Sequence, residues 1–244
     1  MKREKILLES PVFSVDAALK AEEFGVDRIE LCSSFPEGGE TPGAGMLRYL
    51  KASLSIPIFV MIRPRGGDFF YSVNDLSVME TEIEILESQG ADGFVFGVLN
   101  RDGSVNKAAC EKLVEKAGSK PCTFHRAIDV SSSPIDAMDD IVQCGFKRIL
   151  TSGGEDSVEE GLPVLLKMLE KAGDDIIILP GGGMEPGLIE PLKKSNRLKE
   201  VHASCKVWEE IELIDGNTGE KRKPARRLTI SREIVEDFKR CSEI

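Results

Sequence analysis

The sequence predicts a single (β/α)8 barrel of the TIM type spanning residues 1–244, with a hairpin-like insertion after the eighth strand. Three observations point there. The chain has 244 residues, and one barrel core takes ~250. It repeats one phrase eight times, a short β-rich run, a glycine or polar turn and a longer amphipathic stretch. The runs also alternate in polarity where a doubly wound open sheet, covered by helices on both faces, would be uniformly apolar. Arg28, Glu30 and Cys32 share one parity while Ile29 and Leu31 share the other.

The β-rich runs are Lys5–Glu9, Arg28–Cys32, Ile58–Arg63, Gly93–Val98, Cys122–Arg126, Arg148–Ser152, Ile176–Pro180 and Glu200–Ser204. Glycines that end a helix precede most of them, as Gly25, Gly90, Gly145 and Gly173 do. Between them Val15–Phe24 and Ser157–Leu169 carry apolar residues at helical spacing. After Trp208 the rhythm breaks. Residues 209–227 read as an inserted hairpin and basic loop, with Ile211 and Leu213 before the turn Asp215-Gly216-Asn217-Thr218-Gly219. The basic run Lys221, Arg222, Lys223, Arg226 and Arg227 reads as a solvated face, with a subunit contact or anion site as the alternative. A last helix starts near Ser231.

Composition narrows the function classes. Hydrophobic residues at 41% and charged residues at 30% are ordinary globular values, which excludes a disordered or fibrous chain. A net charge of −10 argues against nucleic acid or an anionic membrane as partner. No apolar run approaches a membrane span, and Ile6-Leu7-Leu8 is too short for the core of a secretory signal. Six cysteines without a C-x-x-C pair do not form a disulfide framework, so a cytoplasmic location is expected. Cys110, Cys144 and Cys241 fall on predicted helices and read as structural, and buried spectator thiols are the default for all six.

Active sites of these barrels lie at the C-terminal strand ends. Both histidines of the chain, His125 and His202, fall there. With Ile6, Leu8, Ile29, Leu31, Ile58, Val60 and Ile62 facing the helices, Glu9, Glu30 and Arg63 point inward, and His125 and His202 follow with Thr123 and Ser204. Charges in a barrel mouth must be paired or used. The plain reading is a Glu–Arg plug. The functional reading is an acid/base site, with Glu9 or Glu30 as base or orienting carboxylate, His125 and His202 as further acid/base groups, and Arg63 neutralising an anion. Arg65, a second anion clamp beside Arg63, lines the same rim with Asp68, Arg126 and Ser204 as candidates for binding the substrate or its anion. The loops at Ser152 and at Gly181, Gly182 and Gly183 suit a phosphate or a tight turn equally.

These strand ends resemble the CutC copper-homeostasis family. The resemblance rests on Asp27-Arg28-Ile29-Glu30-Leu31-Cys32, Glu37-Gly38-Gly39 with Thr41-Pro42, Ile62-Arg63-Pro64-Arg65-Gly66-Gly67-Asp68-Phe69 with Tyr71-Ser72, Thr123-Phe124-His125-Arg126-Ala127, Leu150-Thr151-Ser152-Gly153, Pro180-Gly181-Gly182-Gly183 and Val201-His202-Ala203-Ser204. It runs from about Ile6 to Trp208 and implies a cytoplasmic barrel, a homo-oligomer, and a role in copper homeostasis through Cu(I) binding or trafficking. Cys32 is the one copper ligand it implies. The residues themselves favour another reading, a barrel enzyme of lyase or isomerase type that transfers protons on a phosphorylated or carboxylated small molecule. After Trp208 the chain departs from the family pattern.

Overall fold

A computed structural model describes residues 5–216 and 221–243. Eight parallel strands follow in chain order: β1 (Leu7–Val12), β2 (Arg28–Leu31), β3 (Ile58–Met61), β4 (Gly93–Phe96), β5 (Cys122–Phe124), β6 (Arg148–Thr151), β7 (Ile177–Pro180) and β8 (Glu200–His202). Each strand from β1 to β6 pairs with the next, and β1 pairs with β8. A parallel bridge between Gly181 and His202 joins β7 to β8 and nearly closes the ring. Between strands run α1 (Val15–Phe24), α2 (Ala44–Ser53), α3 (Val73–Ser88), α4 (Lys107–Lys116), α5 (Pro134–Gln143), α6 (Leu162–Ala172) and α7 (Ile189–Lys193), and α8 (Arg232–Glu243) ends the fold. No helix among the described residues is long and apolar enough to cross a membrane.

Local chemistry sets the boundaries. Ser14 caps α1 by accepting from the Ala17 amide, and Gly25 ends it at φ 100°. Ser72 and Asp75 form a reciprocal capping box at the start of α3. The expected helix from Ser157 begins only at Leu162, because Pro163 sits in its first turn and fixes the start there.

Strand one also differs from its sequence reading. It continues through Ser10 and Pro11 to Val12, so Glu9 lies in the middle of the strand and not at the rim. The inward parity expected for it holds. Outward residues such as Leu8, Ile29, Val60, Phe94 and Phe124 are buried against the helices, while Cys32, Phe59, Met61 and Val95 form a separate cluster inside the ring.

The insertion is an antiparallel ribbon of β9 (Lys206–Ile214) and β10 (Lys221–Ile230). Its strands start earlier and end later than residues 209–227. Asn217, Thr218 and Gly219 of the expected turn lie outside the described residues. The basic run belongs to a strand, not a loop, and is exposed. Its charges meet acids: Arg222 pairs with Asp215, Lys221 with Glu212 at 2.6 Å and Arg227 with Asp16 at 3.0 Å.

Candidate active site

A chain of alternating charges crosses the barrel interior and ends at its mouth. Arg148 Nε donates to Glu200 at 2.9 Å, and Arg28 bridges Glu200 and Glu9. Phe59 lies beneath both guanidinium groups, 4.6 Å from Arg28 and 5.3 Å from Arg148. Glu9 Oε1 is 2.9 Å from His202 Nδ1, and His202 Nε2 faces Glu30 Oε2 at 3.8 Å. All of these groups are buried except Arg148, which is partly covered.

The electrostatics separate the two carboxylates. Burial works against a charge on Glu9, but Arg28 and the His202 hydrogen bond outweigh it and hold its carboxyl down at about 2. An ionised carboxylate only accepts, so His202 Nδ1 donates to it. Burial pushes Glu30 up to about 7, since His202 only partly offsets the lost hydration and Glu9 adds to the rise. Burial also works against a charge on His202, yet Glu9 and Glu30 raise it above the usual histidine value. Glu30 Oε1 is buried without a hydrogen-bond partner. The arrangement therefore presents a carboxyl that exchanges its proton near neutrality, backed by an oriented imidazole.

Across the mouth, His125 stands where β5 turns into a 3₁₀ turn, and Gly97 makes room for it. A Cβ at Gly97 would fall 2.8 Å from His125 Nδ1. Burial and Arg63 push the imidazole down to about 3. Phe69 covers both groups, its ring 4.7 Å from the His125 ring and 5.0 Å from the Arg63 guanidinium.

Several expected anion ligands are already engaged within the chain. Arg63 Nη1 donates to Glu37 and Gly39 carbonyls and Nη2 to Gly67, which straps two loops together and leaves Nε buried without a partner. Arg65 and Asp68 bind each other at 3.0 Å on an exposed loop. Asp129, a residue that sequence reasoning missed, fills the nest at Ser152–Gly154. It accepts from the amides of Ser152 and Gly154 at 3.1 Å and from the Thr151 and Ser152 hydroxyls. Arg126 donates Nε to Asp129 at 2.7 Å and Nη2 to Ser152 at 2.8 Å. Its Nη1 side lies against the second glycine loop, where a Cβ at Gly182 would come within 2.9 Å. Gly182 and Gly183 both have positive φ, 102° and 64°, and Gly181 abuts His202. Arg126, half-exposed, lies between the two glycine loops, and the amides of the first are already taken by Asp129. Ser204 accepts from the Ser10 hydroxyl through its carbonyl at 3.3 Å.

Arg28 and Glu200 were missed as well, although their parity with Glu30 and with His202 already turns them inward. Cys32, the cysteine expected to ligate copper, sits among few soft donors. Cu(I) favours two or more soft sulfur donors. Cys32 is buried, and burial together with neighbouring Glu30 pushes its thiol well above the usual range. Met61 is the other sulfur residue in its packed cluster. Among the described residues, no three His, Cys, Asp or Glu are grouped to hold a metal ion. The other donors around Cys32 are hard, and a guanidinium stands near them, so the residues present do not fit a Cu(I) centre.

Fold and site together define a parallel (β/α)8 barrel protein with a buried acid/base constellation at its C-terminal mouth. The CutC family model matches residues 6–207, and the chain belongs to that family. A human relative named copper homeostasis protein cutC homolog is 44% identical over 200 residues, 82% of this chain and 73% of that protein. A Mesorhizobium japonicum relative, named only as a family protein CutC, is 41% identical over 80% of this chain and 76% of its own. A solved CutC structure from Streptococcus agalactiae superposes with a TM-score of 0.77 at 29% identity, covering 82% of this chain and 98% of that one.

Proposed function

We propose that the chain works in copper homeostasis, the role in the names of its animal relatives, and does so as a proton-transfer enzyme rather than as a Cu(I) carrier. Its substrate is a phosphorylated or carboxylated small molecule. The observation that carries this reading is Glu30, a buried carboxyl near 7 with one oxygen unpartnered, set against the hydrogen-bonded His202–Glu9 pair. Those are the properties of a general base at neutral pH. Glu9, pinned by Arg28, orients His202. His202 supports the charge that Glu30 gains and loses. The anionic end of the substrate lies against Arg126 and the Gly181–Gly183 loop, and the reacting end reaches inward to Glu30.

Calorimetric titration with inorganic phosphate tests the anion seat. Binding to wild type, weakened roughly tenfold or more in Arg126→Ala, is the expected result. Failure of wild type to bind phosphate at millimolar concentration, or equal binding by Arg126→Ala, would remove the reading.

A further inference from the structure

We propose that His125 is the electrophile of this site. Its neutral imidazole donates Nε2–H to a carbonyl oxygen of the substrate while Glu30 removes a proton from the carbon beside that carbonyl. The inference rests on the reading of Glu30 above and adds the substrate class, a carbonyl compound with an acidic adjacent C–H.

Geometry fixes the tautomer. The Ala127 amide N–H donates to His125 Nδ1 at 3.3 Å. An amide N–H cannot accept, so Nδ1 carries the lone pair and a neutral ring must hold its proton on Nε2. That Nε2 is buried and has no hydrogen-bond partner. Two residues earlier on the same inward parity, Thr123 Oγ1 is buried and unpartnered too. Buried donors left unmet are rare in folded proteins. A strand that leaves two of them inside a barrel mouth, with Glu30 Oε1 unmet on the far side, presents matched polarity for a small polar guest.

The surroundings keep the ring neutral. Arg63 is the charged group beside it, across the Phe69 ring, and Phe124 and Gly97 lie against the imidazole. A neutral imidazole is the better partner for an enolate, because its own acidity lies closer to that of the enol than an imidazolium's does. Gly97 acts as a positioning residue, since any side chain there would displace Nδ1.

The step balances within the chain and substrate. The Glu30 carboxylate takes the proton, the C–H electron pair becomes the carbon–carbon double bond, and the carbonyl π pair moves onto oxygen. Nε2–H meets the charge on that oxygen. Return of the proton from Glu30 to the same carbon, after Glu30 has exchanged it with solvent, restores the substrate and gives the exchange that the test reads. No oxidant or metal takes part.

The test uses the full chain in D2O with three probes, pyruvate, 2-oxoglutarate and dihydroxyacetone phosphate, read by proton NMR as loss of the signals next to the carbonyl. Exchange above the buffer rate is expected with at least one probe, falling ~100-fold or more in His125→Ala and in Glu30→Gln. Nitrogen-15 NMR of wild type gives a readout free of activity and of variant folding. His125 is expected to show a protonated Nε2 and a bare Nδ1 between about pH 5 and pH 8. An Nδ1–H tautomer, an imidazolium at neutral pH, or full exchange by a folded His125→Ala would overturn the proposal. Absence of exchange with all three probes, while phosphate still binds through Arg126, would overturn this inference and leave the anion seat standing. Full exchange by Glu30→Gln would instead sink the general-base reading beneath it.

Discussion

Glu9 Oε1 and His202 Nδ1 lie 2.9 Å apart on adjacent parallel strands, registered as direct neighbours in the β1–β8 pair. Strand pairing alone places them there. Arg28 faces Glu9 from the other side in the β1–β2 register, so one backbone ladder aligns cation, carboxylate and imidazole in a row. The orientation of His202 is thus a property of the barrel and needs no loop to hold it.

Glu9→Gln should drop the His202 pKa. In wild type the Glu9 hydrogen bond and the charges of Glu9 and Glu30 raise it against burial. A raised histidine stabilises the fold fully below ~6.5, and that contribution is lost as pH rises through the folded value. Without Glu9's hydrogen bond and charge, burial and Arg28 are opposed by Glu30 alone, and the His202 midpoint falls below its wild-type value. NMR titration of the two histidines checks this, and an unchanged His202 midpoint would refute it.

Arg28→Met should destabilise the barrel by about 3–5 kcal/mol, because Glu9 loses its guanidinium while still buried and Glu200 keeps only Arg148. Urea unfolding at neutral pH measures the loss. A cost under ~1 kcal/mol would mean that water reaches the interior and screens the carboxylates.

Glu30→Gln should act in the opposite direction, and only at higher pH. The carboxyl rises from near 4.5 to about 7 on folding, chiefly through burial. Between those values the folded chain binds more protons than the unfolded chain, so wild-type stability falls as pH rises through the window. The E30Q chain carries no charge there. Its midpoint should exceed that of wild type above pH ~7, with the advantage fading toward pH ~4.5. Urea midpoints across that range decide it, and a pH-independent difference would count against a buried, ionising Glu30.

The strand–helix alternation and strand parity made most of the fold legible, since a period of two sorts Glu9, Glu30, Arg63, His125 and His202 inward before any contact is known. What the sequence hid were partners. Asp129 follows His125 by four residues in an irregular turn with no periodicity, and only folding brings it under the β6 loop, where it takes the amides that looked suited to phosphate. Arg63 reads as a free anion clamp, yet three backbone carbonyls claim it. Strand one ends at Glu9 in the sequence reading, yet β1 runs on through Pro11, which pairs in register with Glu30 one residue before the strand's end.

Cys32→Ser should leave Cu(I) uptake unchanged. The thiol is buried, stays protonated through the neutral range beside Glu30, and has Met61 as the sulfur neighbour in its cluster. An anaerobic titration against a Cu(I) chelator, run on both chains, should show weak binding of equal strength. Tight stoichiometric uptake lost in the variant would restore Cys32 as a ligand and make copper handling the direct function.

Replacing residues 208–228 of the ribbon with an Asn-Gly turn should cost the barrel less than about 3 kcal/mol. The ribbon's strands are largely exposed, and a two-stranded hairpin has little stability of its own. Its ties to the barrel are surface ion pairs, Lys20 with Glu209 and Arg227 with Asp16, each contributing ~0–1 kcal/mol. The aromatic edge between Trp208 and Phe35, centroids 6.0 Å apart, adds about another kcal/mol at most, because Trp208 is 47% exposed. By contrast Phe124→Ala, on an outward β5 side chain with no exposure, should cost about 3–5 kcal/mol. Thermal unfolding followed by circular dichroism compares the two. A ribbon deletion as damaging as the core truncation would show that the insertion braces the mouth through the β1 and β2 loops, where Phe13 and Phe35 pack edge to face at 5.2 Å.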